Sequence, residues 1–125
     1  MPTKLKVTFQ TIDVIKDGEP IGKGELYYNF LVDNHVVDTR SANNPLKISD
    51  GSTINLTKAY TLSKENGQVL TIAGSVGEKD NLDKDDFDRF SEEYTNQTNW
   101  GMGTHKINLN DRNLNVIVNY KIERA

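Results

Sequence analysis

The sequence predicts an all-β fold: a single antiparallel β-sandwich of seven or eight strands over residues 1–125, with one short helix near residues 84–95. Three observations carry this. Apolar and polar residues alternate in short runs along most of the chain, the period of a strand with one buried face. Turn signals (Asp-Asn, Asp-Gly, Asn-Gly, Asn-Asp) separate those runs at the spacing of a sandwich, roughly every eight to twelve residues. Finally, 125 residues, 35% of them hydrophobic and none of them cysteine, can bury one core without disulfides and offer no linker to a second.

Taken in order, Leu5, Val7 and Phe9 alternate with polar residues, while Ile12 and Val14 fall on the opposite phase. A bulge near Gln10 and Thr11 reconciles the two halves of one strand reaching about Ile15. Leu26, Tyr28, Phe30 and Val32 form the next alternating set, and Asp33-Asn34 turns it into His35-Val36-Val37 as a hairpin. A short segment, Leu46 to Ile48, precedes the Asp50-Gly51 turn into a Thr53 to Thr61 strand. Asn66-Gly67 then leads to a strand from Gln68 to Val76, with Leu70, Ile72, Gly74 and Val76 facing inward. Phe87, Phe90 and Tyr94 recur at spacings of three and four behind Asp83, Asp85 and Asp86, acids suited to a helix N-terminus, which is the basis for the helix. His105, Ile107 and Leu109 alternate before an Asn110-Asp111 turn, and Leu114, Val116, Val118, Tyr120 and Ile122 make the last strand.

A net charge of −3 argues against a nucleic-acid partner, which requires clustered Lys and Arg. No apolar run approaches the ~20 residues of a membrane-spanning helix. Met1-Pro-Thr-Lys-Leu-Lys runs into the first alternating segment without an apolar signal stretch, so a cytoplasmic address is expected. The charge is unevenly distributed. Eight of the eighteen acids lie between Glu78 and Glu93 against three bases, leaving the remainder of the chain at +2.

Glu78, Asp80, Asp83, Asp85 and Asp86 follow the inward strand that ends near Val76, so they project from one rim of the sandwich. Crowded carboxylates raise one another's pKa unless a cation neutralises them. Oxygen donors without His or Cys favour calcium over magnesium or a transition metal. An EF-hand does not fit: from Asp80 the third and fifth positions are Leu82 and Lys84, and from Asp83 the twelfth is Tyr94. A rim site needs a second acidic loop, and Asp17, Glu19 and Glu25 lie in the connection between the first two strands, with Lys23 the only base between them. Asp88, Glu92 and Glu93 belong to the solvated face of the expected helix.

The segment Val76-Gly-Glu78-Lys-Asp80-Asn-Leu-Asp-Lys-Asp85-Asp86-Phe87 resembles the late loop of calcium- and lipid-binding C2 domains, whose acids are spaced Asp-x-Asp-x5-Asp, with Glu78 here in the first place. Gly24-Glu25-Leu26-Tyr27 resembles the acid-Pro-Tyr strand entry of those domains, without the Pro. The resemblance implies a C2 fold and calcium ligation by Asp17 or Glu19, Glu25, Glu78, Asp80 and Asp86, with Asp83 and Asp85 as loop neighbours. Membrane binding is not expected, since basic strands and apolar loop tips beyond Leu82 are absent from the sequence.

No enzyme activity is expected. Gly-x-Ser-x-Gly does not occur, and Gly74-Ser75-Val76 falls inside a strand. Two alternatives stand beside a calcium-binding module. One is a carbohydrate-binding module with Trp100 stacking on a glycan, against which a buried Trp is the competing reading. The other is a metal-free protein-interaction domain with an unspecified protein partner.

Overall fold

The alternation seen in the sequence becomes nine strands in the computed structural model, which describes residues 1–19, 23–80 and 84–125. They are β1 (Thr3–Asp17), β2 (Gly24–Val32), β3 (His35–Arg40), β4 (Leu46–Ile48), β5 (Thr53–Lys64), β6 (Leu70–Glu78), β7 (Asp86–Tyr94), β8 (Gly103–Asp111) and β9 (Leu114–Arg124). One sheet runs β5-β1-β9-β8, and the other runs β3-β2-β6-β7 with β4 also paired to β2. All pairings are antiparallel.

The inward residues of the two sheets meet as one core. Leu5, Val7, Phe9 and Ile12 of β1 and Val116, Val118, Tyr120 and Ile122 of β9 face Leu26, Phe30 and Val32 of β2 and Leu70, Ile72 and Val76 of β6. Phe9 and Phe30 stack across the interlayer space with ring centroids 5.0 Å apart. The pairing of β1 with both neighbours shifts between Phe9 and Thr11, so the bulge lies where the change of phase places it. It lets Phe9 and Ile12 both point inward.

Two expectations are corrected. Residues 84–95 hold no helix among those described: β7 pairs along its whole length with β6, from Leu70 opposite Tyr94 to Glu78 opposite Asp86. In a strand a spacing of three puts Phe87 and Phe90 on opposite faces, and a spacing of four keeps Phe90 and Tyr94 on the same one. Phe90 accordingly packs on the core, with its ring 6.1 Å from Tyr120. Phe87 lies outside and stacks on Tyr27 at 6.5 Å. The short helix is a 3₁₀ segment, Asn96–Gly101, capped by Thr95, whose hydroxyl accepts from the Gln97 N–H. The last turn is also displaced. Asp111 pairs with Leu114, so Arg112 and Asn113 form the tip, with Arg112 in the left-handed region at φ 50°.

Strand direction then sorts the connections. The β1–β2, β4–β5 and β6–β7 connections and the Arg112-Asn113 turn belong to one end. The β2–β3 and β5–β6 turns and the 3₁₀ segment belong to the other.

Candidate functional site at the acidic rim

The first end carries the acids. Asp17 closes β1, Glu78 closes β6 and Asp86 opens β7, and their residues are only 4%, 1% and 5% exposed. Burying a carboxylate is costly unless something compensates it, so each should have a partner. No buried side-chain polar atom among the described residues lacks one.

Asp17 Oδ1 accepts the Glu19 N–H at 2.9 Å, an Asx turn that starts the β1–β2 connection. The Asp17 N–H donates to Asp50 Oδ1 at 3.0 Å, tying in the β4–β5 turn. Glu78 lies beneath this connection. Gly18, at φ 86°, passes so close that a Cβ there would sit 2.7 Å from Glu78 Cγ, which excludes any other residue. Burial first, and then a hydrogen bond with the Glu19 carboxyl and the charges of Glu19 and Asp86, push the Glu78 carboxyl up to about 8; the Glu25 N–H, 3.4 Å from Oε2, acts in the opposite direction. Near neutral pH the Glu78 carboxyl is therefore held toward its protonated form.

Asp86 is compensated differently. Its Oδ1 lies 2.7 Å from Arg112 Nε, and the Arg112 Nη2 also donates to the Lys84 carbonyl. Asp85 accepts the Tyr27 hydroxyl at 2.9 Å on Oδ2 and the Asp80 N–H at 2.9 Å on Oδ1. Burial, that hydrogen bond and the charges of Asp85 and Glu78 hold the Tyr27 phenol at about 12. Glu25 acts through its backbone: its N–H faces Glu78 and its carbonyl accepts the Lys79 N–H at 2.8 Å. Beside these groups a polar cavity of about 530 Å³ opens between Lys16, Asp17, Glu19, Asp50, Arg112 and Asn113.

Of the acids proposed from sequence, the rim thus brings Asp17, Glu19, Glu78 and Asp86 into one neighbourhood, with Glu25, Asp80 and Asp85 along the strand ends beside it. Asp83 lies outside the described residues. Arg112 is a participant that sequence reasoning passed over, while Asp50 registers there only as a turn residue and Tyr27 only as part of a strand entry. Trp100 takes no part. It is 3% exposed in the core at the opposite end, so its ring offers no face to a glycan.

The donor set suits a hard cation in kind, since every side chain offered is an oxygen donor. The arrangement is the one these acids adopt with the chain's own positive groups. Among the described residues no three acidic or histidine side chains converge as a ligand set, so binding a metal requires the carboxylates to change partners.

Comparison with known proteins agrees on architecture. No family model matches the chain, and neither does any curated protein sequence. Among solved structures it is similar to a C2 domain with a TM-score of 0.56 at 12% identity, covering 97% of this chain and 98% of the other. It is similar to a C2 domain of plant Extended Synaptotagmin 1 (TM-score 0.52, 7% identity, 100% and 98% covered). A C2 domain protein from Ramazzottius varieornatus gives 0.51 at 12%, covering 99% and 89%. Human GIVD cytosolic phospholipase A2, determined with an inhibitor and terbium chloride, gives 0.51 at 11%; this chain spans 18% of that enzyme. The fold is therefore a C2-like β-sandwich, as the resemblance in sequence implies.

Proposed function

We propose that this chain is a C2-like binding module, acting by ligation and not by catalysis, whose acidic rim takes up calcium between the β1–β2 and β6–β7 connections. The observation that carries the reading is the burial of Asp17, Glu78 and Asp86 at one rim, on three strand ends belonging to both sheets. Buried acids at a strand terminus contribute nothing to a hydrophobic core and weaken the fold unless a cation rewards their presence. Asp17, Glu25, Glu78, Asp80 and Asp86 are the side chains that would hold it, and the ion would link two connections whose charges otherwise repel. Solved neighbours that are C2 domains, and one protein determined with the hard cation terbium, support the reading.

The residues set the conditions. Glu78 must release its proton, so uptake tightens as pH rises toward about 8 and expels a proton below that. Thermal melting in EDTA, magnesium and calcium tests this. Calcium at a hundredfold excess over its Kd should stabilise by roughly 2.7 kcal/mol, and Asp80→Asn with Asp86→Asn should abolish the response. Identical melting in EDTA and in millimolar calcium overturns the proposal.

A further inference from the structure

We infer that the cavity beside the β1 bulge, on the outer face of the β5-β1-β9-β8 sheet, takes up a phosphate group with Lys106 as its principal contact; this stands independently of the acidic rim.

Both pairings of β1 skip from Phe9 to Thr11, so Gln10 has no partner on either side. A cavity of about 400 Å³ lies there, walled by Gln10, Thr11, Asp13, Thr104, Lys106 and Asn119. Asn119 occupies an outward position of β9, between the buried Val118 and Tyr120, yet is itself only 8% exposed. An amide buried there weakens the sheet unless its polar atoms are partnered. Its Nδ2 donates to Thr11 Oγ1 and to Asp13 Oδ2, each at 2.9 Å, and its Oδ1 accepts Lys106 Nζ at 2.9 Å. The buried amide thus fixes the ammonium at the cavity wall.

What the wall leaves unspent is a set of donors. Lys106 uses one of its three N–H groups on Asn119, and the Thr11 hydroxyl, which accepts from Asn119, keeps its own proton for a ligand. Thr104 is exposed beside them. Asp13, the carboxylate in the wall, is already committed, with Oδ2 on Asn119 and Oδ1 on the Thr53 hydroxyl at 3.1 Å. His105 also borders the cavity but turns its ring nitrogens to the Gly101 carbonyl and the Tyr94 hydroxyl. Lys106, Lys121 and Lys6 step diagonally across β8, β9 and β1, since Lys106 pairs with Asn119, Lys121 with Thr104 and Lys6 with Glu123. Sheet geometry sets successive positions about 8 Å apart. Glu123, 3.6 Å from Lys121, offsets part of that charge and leaves the face positive on a chain of net charge −3. Donors without free acceptors, in a positive field, suit a group with several acceptor oxygens and a charge of about −1.5 to −2, which is a phosphate monoester sooner than a carboxylate.

Amide-resolved NMR titration with inorganic phosphate, at an ionic strength held constant with chloride, decides the matter. The resonances of Thr11, Thr104 and Lys106 should move together with a midpoint on the order of a millimolar. Lys106 is exposed, so Lys106→Gln should keep the urea midpoint of wild type while weakening phosphate roughly tenfold or more. Lys4→Gln removes the same charge well before the bulge on the same face and should stay within about twofold of wild type. Equal weakening by the two variants means a diffuse positive field and overturns the inference, as does the absence of any phosphate-dependent shift up to about 50 mM. Asn119→Ala should weaken phosphate severalfold by releasing Lys106, and an unchanged midpoint overturns its positioning role; where that variant does not fold, the two lysine variants decide. Vesicles of phosphatidylcholine with phosphatidic acid separate the sources. Retention of wild type that is lost in Lys106→Gln assigns the phosphate to a lipid headgroup, and a phosphate response without retention assigns it to a soluble ester; both support the site.

Discussion

The two ends of the sandwich bury polar groups by opposite means. At the rim, Glu78, Asp86 and Asp17 are compensated by a raised carboxyl pKa, a guanidinium and backbone amides respectively. At the far end the polar groups beside the core are mainly tyrosine hydroxyls and an imidazole. The Tyr94 and Tyr120 hydroxyls lie 2.6 Å apart, His105 Nε2 lies 2.5 Å from the Gly101 carbonyl, and the His105 ring stacks on Tyr120 at 4.9 Å. Burial drives the Tyr120 hydroxyl far above its ordinary value, so it stays protonated throughout the working range. The ion pair there, Asp33 to Lys64 at 2.5 Å, has a dedicated partner on each side, and Asp33 also accepts the Thr71 N–H. One end is compensated mainly by neutral hydrogen-bonding groups and rings, and the other by carboxylates and the charges that face them.

The largest effect expected tests the inert end. Tyr120→Ala removes a fully buried ring stacked among Phe9, Phe90 and His105, and should cost roughly 3–5 kcal/mol. Urea unfolding should give the same loss with and without calcium; a loss that depends on calcium would erase the contrast.

Glu78→Gln probes the responsive end. A carboxyl whose folded pKa exceeds its unfolded value binds more protons when folded, so its contribution weakens the fold progressively from about pH 4.5 to about pH 8 and is constant above that. Glutamine imitates the protonated form. The variant should match wild type near pH 4.5 and exceed it by an amount on the order of a few kcal/mol at pH 8, read from the pH dependence of chemical denaturation. The opposite slope would show that Glu78 is ionised in the fold.

The smallest effect concerns Asp50, whose carboxylate also lies 3.6 Å from Lys16 with both side chains more than half exposed. The ion pair itself should contribute no more than about 0.5 kcal/mol. Asp50→Asn retains an oxygen for the Asp17 N–H and should change stability by no more than that. A change several times larger would extend the responsive region to the β4–β5 turn.

Most of the fold was legible because a one-sided strand writes its buried face every second residue, as Val116, Val118, Tyr120 and Ile122 do. β7 escaped because only its Phe90 and Tyr94 pack on the core, a spacing of four that helix and strand share, while Phe87 stacks on the outer surface. At the rim the acids were legible as a charge cluster on a strand end. Their partners were not, since they come from distant segments. Arg112 lies 26 residues beyond Asp86 and reaches it only because the turn tip falls at Arg112-Asn113, two residues later than Asn110-Asp111 implies. Tyr27 was legible only as part of the Gly24-Glu25-Leu26-Tyr27 strand entry, and the pairing of β2, β6 and β7 is what places it beside Asp85.

Where β1 ends and β2 begins, a side chain on Gly24 would have its Cβ only 2.1 Å from the Asp17 carbonyl oxygen, so the two backbones touch. That constriction works as a neck: whatever lies between Asp17 and Gly24 is attached at a point already closed by the sandwich. Insertions there need not pry the sheets apart, and the cost of closing a longer loop grows only slowly with its length. This neck is accordingly a position at which the chain can be lengthened with little damage to the framework, provided Gly18, Glu19 and Gly24 are kept.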